Sequence, residues 1–283
     1  MSISSQVAGT PEPWSYDHIE WLTDTGTTVK TADGKTVRVF EFQHEDDAAV
    51  LSAWAKHFRN HYCLDADIDV LKAANQSRSD YLSTLKFPSG TSKPGPSIRA
   101  GDFGEILVAD FLQWRLGYWI PRVRWDAKVI RNESAKGSDV VGFKLSQDRE
   151  APQRDILLVC EAKTKFSRGT SSKNRIQDAV NGSVKDEIRI AESVNYIKQR
   201  LYERHQMEMV TSVERFQSPV DSPYRLRFAA VGIVSEEHFD DSDIQNTDTT
   251  QHPHRAELAV FVIKGSDMMS LVHALYRRAA DEA

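Results

Sequence analysis

Two short β-type stretches open the regular pattern of apolar and polar positions in this chain. Residues Thr27–Thr31 and Lys35–Gln43 are rich in β-forming side chains, and Asp33-Gly34 lies between them. Asp-Gly between two such runs is a strong turn signal, so the pattern predicts a β-hairpin. Gly34-Lys35-Thr36 is not a Walker A loop, because Val29 stands where that motif needs a glycine. ATP hydrolysis is therefore not expected.

Helical spacing takes over after the hairpin. The apolar residues of Asp46–His61 recur on one helical face, and shorter helical patterns follow at Asp67–Ala74 and Ser79–Leu85. The next segment, Phe87–Ser97, is dense in Pro, Gly and Ser, which is typical of a linker or a domain boundary. We therefore expect residues 1–97 to form a small α+β N-terminal region of hairpin and helices that contributes to docking a partner.

The remaining residues, 98–283, follow the order helix, several strands, long helix, strands and helix. A helix predicted over Asp102–Leu116 is apolar over most of its circumference, and such a helix is buried. The polar, acidic segment Glu236–His254 is predicted to be a mobile loop. The other predicted elements are strands or hairpins over Tyr118–Ile130, Asp139–Leu145, Ile156–Glu161, Arg225–Val234 and Glu257–Ile263, and helices over Lys173–Arg204 and Met268–Ala280. This order predicts an α/β (α+β) fold whose core resembles that of restriction endonucleases.

Charge is distributed unevenly, although the net charge of −5 does not by itself indicate a nucleic-acid partner. Residues 1–97 carry a net charge of −4, residues 121–215 carry +5 and residues 216–283 carry −5. A basic middle is the footprint expected for phosphate binding, and an ordinary solvated surface explains the charge equally well. No run of 18 or more apolar residues is present, so we expect no membrane span and a cytoplasmic protein. The two cysteines lie far apart, which favours reduced thiols.

Three motifs carry acidic side chains, and one of them adds a lysine. Glu161-Ala162-Lys163 ends an apolar strand, and Glu161 and Lys163 lie on the same face because strand side chains alternate. Charges at the end of a buried strand are costly unless they serve a site. Asp139 follows a glycine turn on a neighbouring strand, and Glu105 lies on the buried helix. The pattern predicts a catalytic set of Glu105, Asp139, Glu161 and Lys163.

Phosphodiester hydrolysis explains why these residue types are needed together. Asp139 and Glu161, with Glu105 completing the shell, supply hard oxygen ligands for Mg²⁺, with Mn²⁺ as the alternative ion. Such an ion offsets the negative charge of the phosphate and activates a water molecule. Lys163 is expected to orient or deprotonate that water, or to neutralise developing charge.

Further residues near these motifs extend the prediction. Lys165 and Arg168 follow the Glu-x-Lys motif closely and are predicted to contact flanking phosphates of a nucleic acid. Asp110 lies on the same helix as Glu105, and no chemical role is evident for it. Each catalytic candidate also has a structural explanation. A turn cap would explain Asp139, a plain ion pair would explain Glu161 and Lys163, and a contact with the helix dipole would explain Glu105.

The combined motifs resemble a known family. Arg99–Glu105, Lys136–Phe143 and Cys160–Lys163 are together similar to HamA, the PD-(D/E)xK nuclease subunit of Hachiman antiphage defence systems, and the resemblance covers residues 98–283. It implies Mg²⁺-dependent degradation of DNA. It also implies a complex with a superfamily 2 helicase, HamB, which releases the nuclease activity when it engages DNA. Ser138 stands where the nuclease consensus has proline, and that position varies.

Three function classes stay open at the level of sequence. The intact catalytic set favours a DNA nuclease held in check by a partner over a nuclease-fold module that binds nucleic acid or protein without catalysis. An RNA-cleaving nuclease is the third possibility, since sequence does not distinguish the two substrates. Trp14, Trp21 and Trp54 could anchor the partner, although a core position is the more common fate of a single tryptophan.

Overall fold

A six-stranded mixed sheet forms the centre of the protein. The computed structural model describes residues 15–146, 152–167 and 174–283. The strands in these ranges are β1 (Leu22–Lys30), β2 (Thr36–Phe42), β3 (Val140–Lys144), β4 (Ile156–Lys165), β5 (Arg225–Ser235) and β6 (Leu258–Gly265). Their order across the sheet is β1-β2-β6-β5-β4-β3. The four central strands are parallel, and the two edge strands are antiparallel to their neighbours.

The sequences of the strands match their places in the sheet. Parallel strands covered on both faces carry nearly continuous apolar runs. In β5 every residue from Phe228 to Ser235 is buried, whereas β1 is exposed along most of its length. The polar, threonine-rich sequence of β1 therefore suits an edge strand, where one side of the backbone faces solvent.

Helices cover both faces of this sheet. They are α1 (Ala48–Asn60), α2 (Asp65–Leu71), α3 (Arg78–Tyr81), α4 (Gly95–Asp110), α5 (Arg175–Glu203), α6 (Met207–Glu214), α7 (Asp241–Gln245) and α8 (Met268–Asp281). One apolar cluster joins α1, α4 and α8 to one face, and a second joins α5 and α6 to the other. This three-layer arrangement confirms the mixed α/β, nuclease-like fold predicted from the sequence.

The segment predicted to be a linker is built into the fold. Phe87 is only 1% exposed, and α4 begins at Gly95, so the boundary placed after residue 97 lies inside a helix. A side chain at Gly95 would overlap Ser89, so the Pro- and Gly-rich sequence forms a tight approach to α4. This segment is therefore a packed turn and not a flexible linker, and the division of the chain into two domains near residue 97 stays a prediction. Residues on both sides of the boundary share one sheet, since β2 pairs with β6.

Two further predictions differ from the structure. Tyr118–Ile130, expected to be a strand or hairpin, forms a single isolated bridge, between Trp119 and Phe143. Glu236–His254 is more ordered than the predicted mobile loop, because it contains α7 and because the Thr249 hydroxyl donates to Asp33 Oδ2 at 2.6 Å. The helix α6 was not predicted. The hairpin and the helices α1, α5 and α8 are confirmed.

The tryptophans considered as partner anchors lie in the core. Trp21 is 9% exposed and Trp54 is 1% exposed, and both pack in the apolar cluster beside α1. Trp14 lies outside the described residues. In the ranges that the structure covers, we found no helix with the length and apolar character needed to cross a bilayer.

Candidate active site

The candidate site lies where β3 begins and β4 ends, and strand register brings its residues level. Asp139 directly precedes β3, and Val140 pairs with Cys160 across the antiparallel ladder. Continuing this register places Asp139 beside Glu161. The backbone N–H of Ala162 donates to Asp139 Oδ2 at 3.1 Å. The carboxylate of Asp139 is therefore fixed against β4 by a backbone contact that any residue except proline at position 162 would allow.

Lys163 joins the two carboxylates. Its Nζ donates to Glu161 Oε1 and lies 3.6 Å from Asp139 Oδ2. The Lys163 side chain is 32% exposed, while those of Glu161 and Asp139 are 10% and 12% exposed. Because the Lys163 ammonium group lies close to one oxygen of each acid, the two carboxylates border the same small, partly open space.

Glu105 reaches this space from α4 through an arginine. Its Oε2 accepts from Arg124 Nε at 3.1 Å and from Trp125 Nε1 at 3.2 Å. Arg124 Nη2 also donates to Asp139 Oδ1 at 3.0 Å. The same guanidinium donates to three carbonyl oxygens, those of Ala135, Lys136 and Ser138. Arg124 therefore holds the segment before β3 against α4.

The structure thus brings the four predicted catalytic residues together. The pKa values of two of these acids, Glu105 and Glu161, are raised, which is common where burial and like charges are combined at a functional site. Burial, with the Asp139 charge, raises the pKa of Glu105 to about 8 and that of Glu161 to about 7. The pKa of Lys163 is also raised, because the charges of Asp139 and Glu161 outweigh the effect of burial. The site has three acids against two cations, Lys163 and Arg124, so a further cation would favour the charged forms of Glu105 and Glu161.

One acid of the site was missed by sequence reasoning. Asp186 on α5 is fully buried, and burial together with the Asp139 charge raises its pKa to about 6. Gly182, one turn earlier, packs so closely on Glu161 that a Cβ there would overlap the carboxylate. An acid on the buried stripe of a predicted helix was the signal available for Asp186. Arg124 had no such signal, because it lies in an irregular segment.

The predicted nucleic-acid contacts are less clearly placed. Lys165, at the end of β4, lies 3.4 Å from Asp243 Oδ2 of α7, so an acid already offsets much of its charge. Arg168 lies outside the described residues. A cavity of about 460 Å³ opens beside Asp139 and is lined by Arg124 and by Tyr196 of α5, among others. Contacts of these side chains with phosphates stay a prediction.

The donor set of the site suits a divalent cation with oxygen ligands. Asp139 and Glu161 supply carboxylates that face one space, and such an ion would favour their charged forms. Lys163 and Arg124 now lie between these acids. Among the described residues, the acids of this site supply no three oxygens that lie within 4.8 Å of one another. Ligand atoms of His18, His57 and Asp110 do lie within that distance of one another.

That histidine-containing group does not need a metal ion. Arg122 Nη2 lies 2.6 Å from Asp110 Oδ1, and His18 Nε2 donates to Asp110 Oδ2 at 2.9 Å. His57 Nε2 donates to the same carboxylate at 3.0 Å. A buried carboxylate with these donors is already stabilised, and the nearby guanidinium repels a second cation. The β3–β4 end of the sheet is therefore the better candidate for a cation site.

Comparison with known proteins agrees with the motifs. A family model described as HamA matches residues 17–279 of the 283-residue chain. The match includes the N-terminal strands as well as all the candidate site residues, so it extends beyond the resemblance seen in the sequence. A comparison with curated proteins gave no significant match. The chain belongs to the HamA family and is therefore a component of a Hachiman antiphage defence system.

Proposed function

We propose that this protein is a metal-dependent deoxyribonuclease that acts as the effector of its defence system. The observation that carries the proposal is the position of Asp139 and Glu161, which face one Lys163 ammonium group at the end of a buried sheet. A plain structural ion pair would need one acid for the lysine. Two acids around it, with Glu105 behind Arg124, fit the catalytic set of a PD-(D/E)xK nuclease better.

The residues have separable roles in this proposal. Asp139 and Glu161 would hold Mg²⁺ or Mn²⁺, and Glu105 would complete the shell or hold a water ligand. When bound, the ion would lower the pKa of a coordinated water and offset charge on the phosphate. Lys163 donates hydrogen bonds from the open side of the site, so it is placed to orient the attacking water or to contact a phosphate oxygen.

Other contacts fix the geometry of the site. Arg124 holds the chain before β3, and the Ala162 N–H holds the second oxygen of Asp139. Fixed ligands lower the cost of assembling the site when substrate arrives. The cavity beside Asp139 provides room for nucleotide next to the reacting phosphate.

We further propose that a superfamily 2 helicase resembling HamB is the partner and that DNA is the substrate. The family assignment supports both, since HamA-like nucleases are expected to work with such a helicase. An unrestrained nuclease would damage its own cell. We therefore expect the purified chain alone to be weakly active or silent on DNA at physiological salt.

The test is plasmid degradation by the chain co-purified with its partner, with Mg²⁺ or with EDTA. We expect degradation only with the metal, and none from the double variant Glu161→Ala/Lys163→Ala. A matched control is Asp24→Ala/Arg38→Ala, which removes an exposed acid–base pair from the β1–β2 hairpin of the same sheet. An RNA substrate tested alongside separates the two nuclease classes.

Truncating Glu161 and Lys163 together leaves neither charge without its partner, so the fold should survive. Thermal melting of both double variants checks this. Degradation by a Glu161→Ala/Lys163→Ala complex that melts like wild type would show that the Glu-x-Lys pair is structural, and the proposed function would be wrong.

A further inference from the structure

We propose that Asp186 is a further acidic ligand of the divalent-cation site, supplied by α5 from the side of the site opposite α4. The inference rests on the proposed function, because it concerns the same cation. It changes the ligand set, since Glu105, Asp139 and Glu161 come from α4, from the start of β3 and from β4. It also assigns α5 a part in metal binding that no motif in the sequence indicates.

The first argument is the lack of a basic partner. Four aspartates are buried in the described part of the chain, and three of them have a basic side chain within 4 Å: Asp102 has Lys128, Asp110 has Arg122 and Asp155 has Arg215. Among the described residues Asp186 forms no ion pair, and neither of its buried oxygens accepts a well-formed hydrogen bond. A buried carboxylate without an ion-pair partner is costly even beside a hydroxyl, so its position suggests a cation that binds there.

The second argument is where α5 places this carboxylate. Gly182 and Asp186 are four residues apart and so lie on one face of the helix. Gly182 lets that face approach Glu161 more closely than any other residue would allow. Ser193 of the same helix accepts from the backbone N–H of Ser138, the residue before Asp139, at 3.3 Å. α5 is therefore attached to the site on both sides of Asp186.

The charges around Asp186 point the same way. Asp139, Glu161, Arg189 and Lys163 lie near enough to interact with its carboxylate, as does the hydroxyl of Ser138. Among the described residues no three of these acids bring oxygens within 4.8 Å of one another, so the side chains would have to close around an ion. Mg²⁺ and Mn²⁺ are the ligands that such carboxylates fit, because hard cations prefer oxygen donors.

The experiment measures Mn²⁺ binding to the purified full chain by electron paramagnetic resonance, with Mn²⁺ as the probe. The variants are Asp186→Asn, Glu161→Gln and Asp178→Asn. Asp178 lies on the same helix, is partly exposed and pairs with Arg175, so it controls for loss of one negative charge on α5. We expect Asp186→Asn to weaken Mn²⁺ binding at least ~10-fold, the loss typical for residues that support a metal site, and Asp178→Asn to change it less than ~2-fold.

Thermal melting in EDTA separates a ligand from a structural residue. Because Asp186→Asn removes an unpaired buried charge, the metal-free variant should melt at or above the wild-type temperature. A lower melting temperature with unchanged Mn²⁺ affinity would overturn the inference. Asp186→Ala, which also removes the charge, is the second variant if asparagine prevents folding.

The two levels of the proposal can fail separately. If Glu161→Gln loses Mn²⁺ and Asp186→Asn binds it like wild type, Asp186 is not a ligand and the proposed function still stands. If the wild-type chain binds no Mn²⁺, both the ligand assignment and the metal-dependent function are wrong.

Discussion

Two groups of buried acids each include a residue of α4, and they differ in how their charges are satisfied. The Asp110 cluster consists of Asp110, His18, His57 and Arg122. Its carboxylate receives hydrogen bonds from both histidines and lies 2.6 Å from the guanidinium. The pKa of Asp110 is held well below its usual value, because its charged and hydrogen-bonding partners outweigh the effect of burial.

The β3–β4 site consists of Glu105, Asp139, Glu161, Lys163 and Asp186. Here burial and mutual repulsion raise the pKa values of three acids, to about 8 for Glu105, about 7 for Glu161 and about 6 for Asp186. Both groups are buried and both contain acids, so burial alone does not identify a functional site. The number of hydrogen-bond donors around each carboxylate does identify one, because an acid with enough donors needs no bound ligand, whereas an acid without them needs one.

Removing a buried acid should lower the stability of the protein in the Asp110 cluster and leave it unlowered in the β3–β4 site. Asp110→Ala would leave a buried guanidinium without its carboxylate, and breaking a buried pair in this way costs about 3–5 kcal/mol of stability. Asp186→Asn should cost none. Urea unfolding of the metal-free chain measures both. A loss below about 1 kcal/mol for Asp110→Ala would show that the cluster is not the structural centre described here.

The Asp110 cluster should also make the protein sensitive to acid. Burial lowers the pKa of His57 to about 4, from 6.5 in the unfolded chain, despite the nearby Asp110. Below pH 6.5 the unfolded chain therefore binds a proton that folded His57 does not, and stability falls as the pH drops towards 4. The loss from this residue is about 3 kcal/mol at pH 4. Above pH 6.5 the residue is neutral in both states and contributes no pH dependence.

His57→Gln keeps a donor towards Asp110 and removes the titration. We expect its unfolding free energy to depend less on pH between 6.5 and 4 than that of wild type. His18, His61 and Arg122 face the same group and remain in both proteins, so their contribution cancels in the difference. Equal pH slopes for the two proteins would contradict a neutral, buried His57.

Gly182 allows a smaller test of the β3–β4 site. Alanine there should favour the helix by up to about 1 kcal/mol, but its Cβ would displace the Glu161 side chain. We expect Gly182→Ala to lower plasmid cleavage by the complex at least ~10-fold while the chain stays folded. Gly101→Ala in α4 is the matched control for helix stability, since a Cβ at Gly101 meets no atom within 4 Å. Cleavage at the wild-type rate by Gly182→Ala would separate Glu161 from catalysis.

The parts of the site that follow from local rules could be predicted from the sequence. Glu161 and Lys163 share a face because strand side chains alternate, and Asp139 meets them because a neighbouring strand begins beside β4. Arg124 and Asp186 depend on distant packing instead. Arg124 belongs to a segment with no periodicity, and Asp186 reaches the site because Gly182 lets a helix 20 or more residues along the chain approach β4.

The segment 87–97, expected to be a linker or a domain boundary, forms a packed turn that could not be predicted for the same physical reason. Proline and glycine indicate a break in regular structure, and composition does not show whether the break is a flexible connection or a tight turn. The close contact between Gly95 and Ser89 shows that the break is a tight turn, and α4 begins at Gly95. The fold class was easier to predict, because the apolar runs of buried strands and the apolar faces of amphipathic helices extend along the whole length of each element.

The most direct test of the account is a crystal structure of the chain grown with MnCl₂, with the ion located by its anomalous scattering. The account predicts a peak between Asp139 and Glu161, with the Lys163 ammonium group moved aside and no peak at the Asp110 cluster. A peak coordinated by His18, His57 and Asp110 would contradict it. So would the lack of any peak at the β3–β4 site at a Mn²⁺ concentration that saturates binding in solution.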